Sequence, residues 1–386
     1  MDFLAERVKQ ITPSLTLAID AKAKAMKASG VDVIGFGAGE PDFDTPEHIK
    51  AAAMGALDAG LTKYTPSSGI PELRAAISEK LKNDNGLNYE PNQIIVTCGA
   101  KHACFNALAA MVNPGEEVLI PAPYWLSYPE MVKLVGGVPV TVPTTAENGY
   151  KITPNQFREY MSPLTKMIIL NSPSNPTGVV YTDNELAALA EVALDEDIFI
   201  LSDEIYEKLI YDDAKHFSIA SFSQEVYNQT ITINGFSKSH AMTGWRLGYV
   251  AAPAPIAQAI DSMQSHSTSN MTSFAQQGAL AAYKAPQDCV TEMAAEYGKR
   301  RARMIELLDT IKKVSYVKPQ GAFYFLMNIA QTGLLSVHFA EKLLEQEKVA
   351  VVPGIAFGDD NTVRLSYATS LANIEEGLQR LARFCR

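Results

Sequence analysis

Residues 234–249 read NGFSKSHAMTGWRLGY, and they place Lys238 among small and polar residues directly after an apolar run, with Arg246 further along the same stretch. An amine so placed is neither a solubilising group on a helix face nor half of an obvious ion pair. Its chemistry is nucleophilic or basic, provided that a carbonyl ligand can be held beside it. Other stretches carry groups that could hold one. GAK at 99–101 opens a helical pattern, so the backbone N–H groups of Gly99, Ala100 and Lys101 are suited to a phosphate. Ser237 and Arg246 add a hydroxyl and a permanently charged fork for the same anion. Asp203, in SDEIY, ends a buried apolar run and needs a cationic partner to stay charged there. A protonated pyridine nitrogen supplies one. Tyr206 of the same motif and Asn175 of SPSNPTG can both hydrogen-bond a phenolic oxygen, and Trp125 of PAPYW offers a flat face to an aromatic ring. The ligand these groups describe is flat, aromatic and phosphorylated, with a carbonyl in reach of an amine: pyridoxal 5'-phosphate, held as a Schiff base on Lys238.

The elements that must position these residues are short apolar runs alternating with longer helical patterns. Strands are expected at 93–98, 116–121, 166–171, 198–203, 230–235 and 247–252, and helices at 101–112 and 183–194. Continuous aliphatic strands argue for a mostly parallel sheet buried on both faces by helices. Ligands of such sheets lie beyond the carboxyl ends of the strands, and five of these ends carry the residues named above. From Val314 onward the pattern changes to α+β, with a helix around 336–347, strand-like VAVVP and TVRLSYA, and a closing helix to Arg386. The expected organisation is an α/β chain with a large domain over 46–300 and a small α+β domain built from both ends, 1–45 and 301–386.

Composition narrows the function. The chain has 386 residues, 47% apolar and 20% charged, enough for one large domain and a smaller one. Its formal charge of −10 disfavours nucleic acid and anionic membrane as partners, so an anionic ligand must be held by local charge. No apolar run approaches the ~18 residues of a membrane span, and MDFLAERVKQ lacks the pattern of a secretory leader, which together give a cytoplasmic expectation. Cys98, Cys104, Cys289 and Cys385 form no C-x-x-C pair, and the histidines form no H-E-x-x-H, so no metal is expected.

Several long motifs, in order and almost end to end, resemble one family: VIGFGAGEPDFDTP, KYTPSSGIPELR, NSPSNPTG, SDEIYEKLIY, SKSHAMTGWRLGY, PGIAFG and RLSYA. The chain resembles a class I pyridoxal-phosphate-dependent aminotransferase of fold type I, in the bacterial and chloroplast aspartate aminotransferase subgroup. The resemblance implies that Lys238 is the Schiff-base lysine, Asp203 the partner of the ring nitrogen, and Tyr206 and Asn175 the contacts of the phenolic oxygen. It places Trp125 on the ring and Gly99, Ala100, Ser237 and Arg246 at the phosphate, with Tyr64 reaching in from the second subunit of a homodimer. Arg364 would clamp the substrate α-carboxylate, with the backbone of Gly39 beside it. One departure stands out: position 235, a phosphate-binding serine in other subgroups, is glycine here.

The expected reaction is ping-pong transamination between amino acids and 2-oxo acids. Lys101, with Ser14 and Thr16 closing over it, is the candidate for a distal carboxylate, which favours aspartate with 2-oxoglutarate and leaves prephenate open. Other readings share much of the pattern. C–S lyases and aminocyclopropane-carboxylate synthases keep most of the cofactor residues, and an aminotransferase of different donor specificity is a further alternative. GFGAGE at 35–40 looks like a dinucleotide loop, but Glu40 and Pro41 stand where a glycine and a continuing helix are needed. Taken singly, Arg364 could be an arginine snorkelling from an edge strand, Asp203 a cap of the turn after its strand, and Trp125 core filler. The lysine-rich 18–28 reads as a solvated helix face.

Overall fold

The computed structural model describes residues 3–11 and 15–386, the side chains of 6 and 15–20 excepted. Seven strands form the central sheet: β1 (Ile94–Thr97), β2 (Glu117–Ala122), β3 (Val138–Pro143), β4 (Thr165–Asn171), β5 (Phe199–Asp203), β6 (Thr230–Gly235) and β7 (Gly248–Ala251). Their order is β1-β7-β6-β5-β4-β2-β3. Alternate residues of the inner strands enter different cores. Met167, Ile169 and Leu201 pack with Ala103 and Leu108 of the helix Gly99–Met111, whereas Ile168, Leu170 and Ile200 pack with Leu186 and Leu189 of the helix Asp183–Asp195. Burial on both faces is why these strands are aliphatic throughout. The second of these helices starts where Thr182 and Glu185 form a reciprocal capping box.

Two features of the sheet correct the sequence reading. The run at 247–252 is a strand, but β7 is antiparallel to both β1 and β6. A parallel return requires a long crossover, usually a helix, and residues 236–247 form turns instead, including the one that carries Lys238. The edge strand β3, VPVTVP, had no strand expectation. Its two prolines and its single threonine break the aliphatic run, only one of its residues is buried, and an edge is where a sheet tolerates proline.

A second, antiparallel sheet contains β8 (Ser315–Tyr316), β9 (Tyr324–Asn328), β10 (Val352–Pro353) and β11 (Thr362–Ser366), in the order β10-β11-β9-β8. The two chain ends meet beside it, where Ile34 and Gly35 pair in parallel with Val349 and Ala350. Phe36 continues the join by accepting from Ser366 N–H at 2.8 Å. The closing helix Leu371–Phe384 buries Ile374, Leu378 and Leu381 in the same core as Phe36. Among the described residues no helix is long and apolar enough to cross a membrane.

Candidate active site

The carboxyl ends of β1, β2, β4, β5 and β6 lie on one side of the central sheet, because β7, the strand between β1 and β6, runs opposite to both. They deliver Gly99, Trp125, Asn175, Asp203 and Lys238 to a common region. The second sheet contributes from the other side through Arg364 of β11 and Tyr324 of β9.

Lys238 donates from its amine to the carbonyl of Gly39, and the same amine sits 5.7 Å from the ring centroids of both Tyr206 and Phe323. Burial pushes its pKa down to about 8. The Arg364 and Arg246 charges add to this, and Glu40 and Asp203 oppose it. The turn that carries it also buries Ser237.

Asp203 is 3% exposed. Its Oδ2 accepts from Tyr128 O–H at 2.7 Å and its Oδ1 from Ile205 N–H at 3.2 Å, so it does cap the following turn. Among the described residues no cationic side chain bonds it, and burial raises its carboxyl to about 6. A buried carboxylate that lacks a bonded cation fits a ligand bearing an N–H⁺. Its neighbour strand supports it, since Asn171 Nδ2 donates to the Asp203 carbonyl at 2.9 Å and Asn171 Oδ1 accepts from Asn175 N–H at 2.8 Å.

Tyr206 shares a 2.9 Å hydrogen bond between hydroxyls with Tyr324. Asn175 Oδ1 accepts from Arg364 Nη1 at 2.9 Å, and Gly37 O accepts from Nη2 at 3.0 Å. The guanidinium lies 4.4 Å from the ring centroid of Tyr324 and 5.0 Å from that of Phe357. Arg364 is 4% exposed, and its Nε has no partner among the described residues. It stands inside the sheet, paired with Leu326 on one side and Val352 on the other, which removes the edge-strand alternative. A buried guanidinium with an idle N–H is the donor set for a carboxylate.

At the residues expected to hold a phosphate, Gly99 opens the helix Gly99–Met111 with φ +77°. A Cβ there would meet Arg246 Nη2 at 2.6 Å, so only glycine lets the guanidinium reach the helix start. Arg246 itself is left-handed, with φ +54°, and donates to Thr243 O at 2.9 Å and Cys98 O at 3.2 Å. Gly235 is also required by packing. It is paired with Gly248, whose Cα a Cβ at 235 would approach to 2.8 Å, and a Cβ on Gly248 would in turn meet Ala100 N at 2.4 Å. A serine therefore has no room at position 235. Lys101 reaches 5.0 Å from the Trp125 ring centroid, and burial together with the Arg246 charge lowers its pKa. Trp125 is half-buried, with its edge against Tyr128 at a centroid distance of 5.2 Å.

Tyr64 stands apart, 93% exposed. Ser14 lies outside the described residues, as does the side chain of Thr16. Three participants had no place in the sequence reading, Tyr128, Tyr324 and Gly37, while Cys104, which entered it only as a cysteine outside any C-x-x-C pair, has its Sγ 3.9 Å from Asp203 Oδ2. A separate buried cluster of Glu204, Glu207 and His216 has metal-ligand types, but Lys80 and Asn85 bond into it.

The family model described as aminotransferase class I and II matches residues 31–381. An aspartate aminotransferase of Bacillus sp. (strain YM-2) is 54% identical, covering 100% of both chains. A probable aspartate/prephenate aminotransferase of Aquifex aeolicus is 50% identical over 98% of each. Among solved structures, an aspartate aminotransferase from Thermus thermophilus with maleate superposes with a TM-score of 0.95 at 45% identity, covering 99% of this chain and 100% of the other.

Proposed function

The chain belongs to the class I and II aminotransferases, and on that premise we propose that it moves the amino group of L-aspartate to 2-oxoglutarate, forming oxaloacetate and L-glutamate. The observation that carries the reading is the buried Arg364 fork, idle at Nε, set across from the Lys238 amine and the cation-free Asp203 carboxylate. The cofactor, pyridoxal 5'-phosphate, supplies when bound a carbonyl for amine exchange and a protonated ring that withdraws electrons from the substrate Cα.

The residues fit that group. Asp203 would keep the ring nitrogen protonated, braced by Tyr128 and Ile205 N–H. Tyr206 and Asn175 would meet the phenolic oxygen, and Trp125 would cover one face. The N–H groups at Gly99, Ala100 and Lys101, the Ser237 hydroxyl and the Arg246 fork would take the phosphate. Arg364 orients the α-carboxylate beside the backbone of Gly39. Lys238, with its pKa lowered to about 8, has a neutral fraction near neutral pH that can take the proton from the substrate Cα and return it two bonds away, to the carbon on the far side of the amino nitrogen. The same residues serve both half-reactions, so the kinetics are ping-pong.

Lys101 is the side chain we assign to the distal carboxylate, and we assign Ser14 and Thr16, named with it from the sequence, to the same role. The Thermus relative solved with maleate, a dicarboxylate, supports this. Prephenate also has two carboxylates, and the aspartate/prephenate names of several relatives support its use as a second substrate. These names favour transamination over the lyase alternative.

The reading includes a cytoplasmic homodimer with shared sites. Tyr64 is exposed, as are Met54 and Leu57 of the helix Glu47–Asp58. A cavity of about 1040 Å³ beside Arg246 is lined by both apolar residues and by Phe274. It also divides the chain into 46–300 and the joined ends 1–45 and 301–386, supported by the pairing of Ile34–Gly35 with Val349–Ala350. The helix Asp288–Leu308 runs unbroken through residue 300, so the boundary falls within it.

The visible spectrum tests the proposal. Holoprotein should lose its visible absorption on adding aspartate and regain it on adding 2-oxoglutarate. Absorption that ignores aspartate would refute the donor assignment, and Lys238→Ala protein turning over at a normal rate would refute the lysine.

A further inference from the structure

The turn 236–240 holds Ser237 and Lys238 between two anchored ends. His240 N–H closes it by donating to the Phe236 carbonyl at 3.1 Å. The His240 side chain, 2% exposed, is bonded at both ring nitrogens, to Ser239 Oγ at 2.8 Å through Nδ1 and to Gln287 Oε1 at 3.1 Å through Nε2. The tautomer follows by elimination. Gln287 Nε2 already donates to the carbonyls of Ala282 at 2.9 Å and Ala285 at 2.8 Å, so its Oε1 faces His240 as an acceptor. His240 Nε2 must therefore carry the hydrogen, which leaves Nδ1 of the neutral ring to accept from the Ser239 hydroxyl. Burial pushes the ring's pKa down to about 4, against the opposing bond to Gln287. The ring also packs edge-on to Tyr283 at a centroid distance of 5.7 Å.

Resting on the reading of Lys238 given above, we infer that His240 is a positioning residue for the reaction: a neutral, tautomer-fixed strut that ties the lysine-bearing turn, through Ser239 on one side and Gln287 on the other, to the junction of the helices Ser273–Lys284 and Asp288–Leu308. It does not touch the reacting atoms. Ser239 follows Lys238 directly, so a fixed Ser239 hydroxyl restrains the backbone from which the amine projects. On the far side Ala241, with φ +50°, accepts from Thr45 Oγ1 at 2.6 Å, so the turn is held at both exits. A small misplacement of a reacting group lowers turnover far more than it lowers binding.

The test uses holoenzyme with aspartate and 2-oxoglutarate. His240→Phe keeps the ring packing and loses both hydrogen bonds. Its kcat should fall roughly tenfold, with the cofactor still loaded by its visible absorption and KM for aspartate within about twofold. His240→Asn retains an acceptor near Nδ1 and His240→Gln a donor near Nε2, so each should recover part of the loss. Ser239→Ala, which is the smaller change should the Phe variant not fold, should lower kcat about threefold, and the two changes together should cost less than the product of the singles. An unchanged kcat in Ser239→Ala and His240→Phe would overturn the inference. So would equal losses in the Phe, Asn and Gln variants that track a lowered melting temperature. Wild-type protein whose absorption ignores aspartate would instead remove the parent reading, before any His240 variant is compared.

Discussion

Arg364 Nη1 donates to Asn175 Oδ1 at 2.9 Å, so the residue expected to clamp the substrate and one expected to contact the cofactor are bonded to each other across the two sheets. The bond fixes one arm of the guanidinium, the Gly37 carbonyl fixes the second, and Nε stays idle.

Arg364→Lys keeps the charge but loses the planar fork. The KM for aspartate should rise about a hundredfold, in line with the ~2–3 kcal/mol of a charge-assisted pair, with a smaller effect on kcat. Steady-state kinetics in both directions check this. An unchanged KM would mean that the α-carboxylate binds elsewhere.

Asp203→Asn separates function from stability. Burial raises the Asp203 carboxyl to about 6 from its ordinary 3.8, so the folded apoprotein holds that proton more tightly than the unfolded chain. This contribution is fully present below pH ~3.8 and is lost as the pH rises through about 6, at a cost of roughly 3 kcal/mol. At pH 7.5 the apo Asn variant should therefore melt no lower than wild type, while its loaded kcat falls by about 10²–10³-fold. A lower melting point for the variant at that pH would contradict the assignment of Asp203 as an unpaired buried acid.

Tyr64 tests the shared site by complementation. Tyr64→Ala and Lys238→Ala subunits, each nearly inactive alone, should regain about a quarter of wild-type activity after co-refolding in equal amounts, because half the dimers then hold one intact site. Mixed subunits that stay inactive would put Tyr64 in its own chain's site, and Tyr64→Ala protein that is fully active alone would put it in none.

The buried pair of Lys80 and Glu207 makes a stability prediction away from the chemistry. Burial alone would raise the Glu207 carboxyl, but the charges of Lys80, His216 and Lys208 hold it down at about 2. Such a depressed acid stabilises fully above its ordinary 4.5 and loses that contribution as the pH falls toward 2. Lys80→Met should destabilise the apoprotein by roughly 3–5 kcal/mol at pH 7, and Glu207→Gln in the same background should restore part of it. Chemical denaturation at pH 7 measures both, and a loss below ~1 kcal/mol would show the pair to be solvated.

Much of the site was legible because each chemistry-bearing residue follows an aliphatic run, and the ends of such runs in a sheet buried on both faces converge. Lys238, Asp203, Asn175, Trp125 and Gly99 were named that way, and the fold brings them to one side of the sheet. Gly37 was not, because a backbone carbonyl has no residue signature. Tyr324 was not, because its phenol meets Tyr206 only after a second sheet has docked. The direction of β7 was hidden for a related reason: apolar character says that a strand is buried, while the length and shape of the connection before it say which way it runs.

The nesting of Gly235, Gly248 and Ala100 limits how the proposed phosphate cup can change. Three backbones meet there with no side chain between them. A hydroxyl cannot be grafted onto position 235 by a single substitution, since the strand and the helix start would both have to retreat first, and the helix start is itself part of the cup. The glycine at 235 and the assignment of the phosphate to Ser237 and Arg246 proposed above thus go together, open to exchange for a serine-based cup only by remodelling three segments at once.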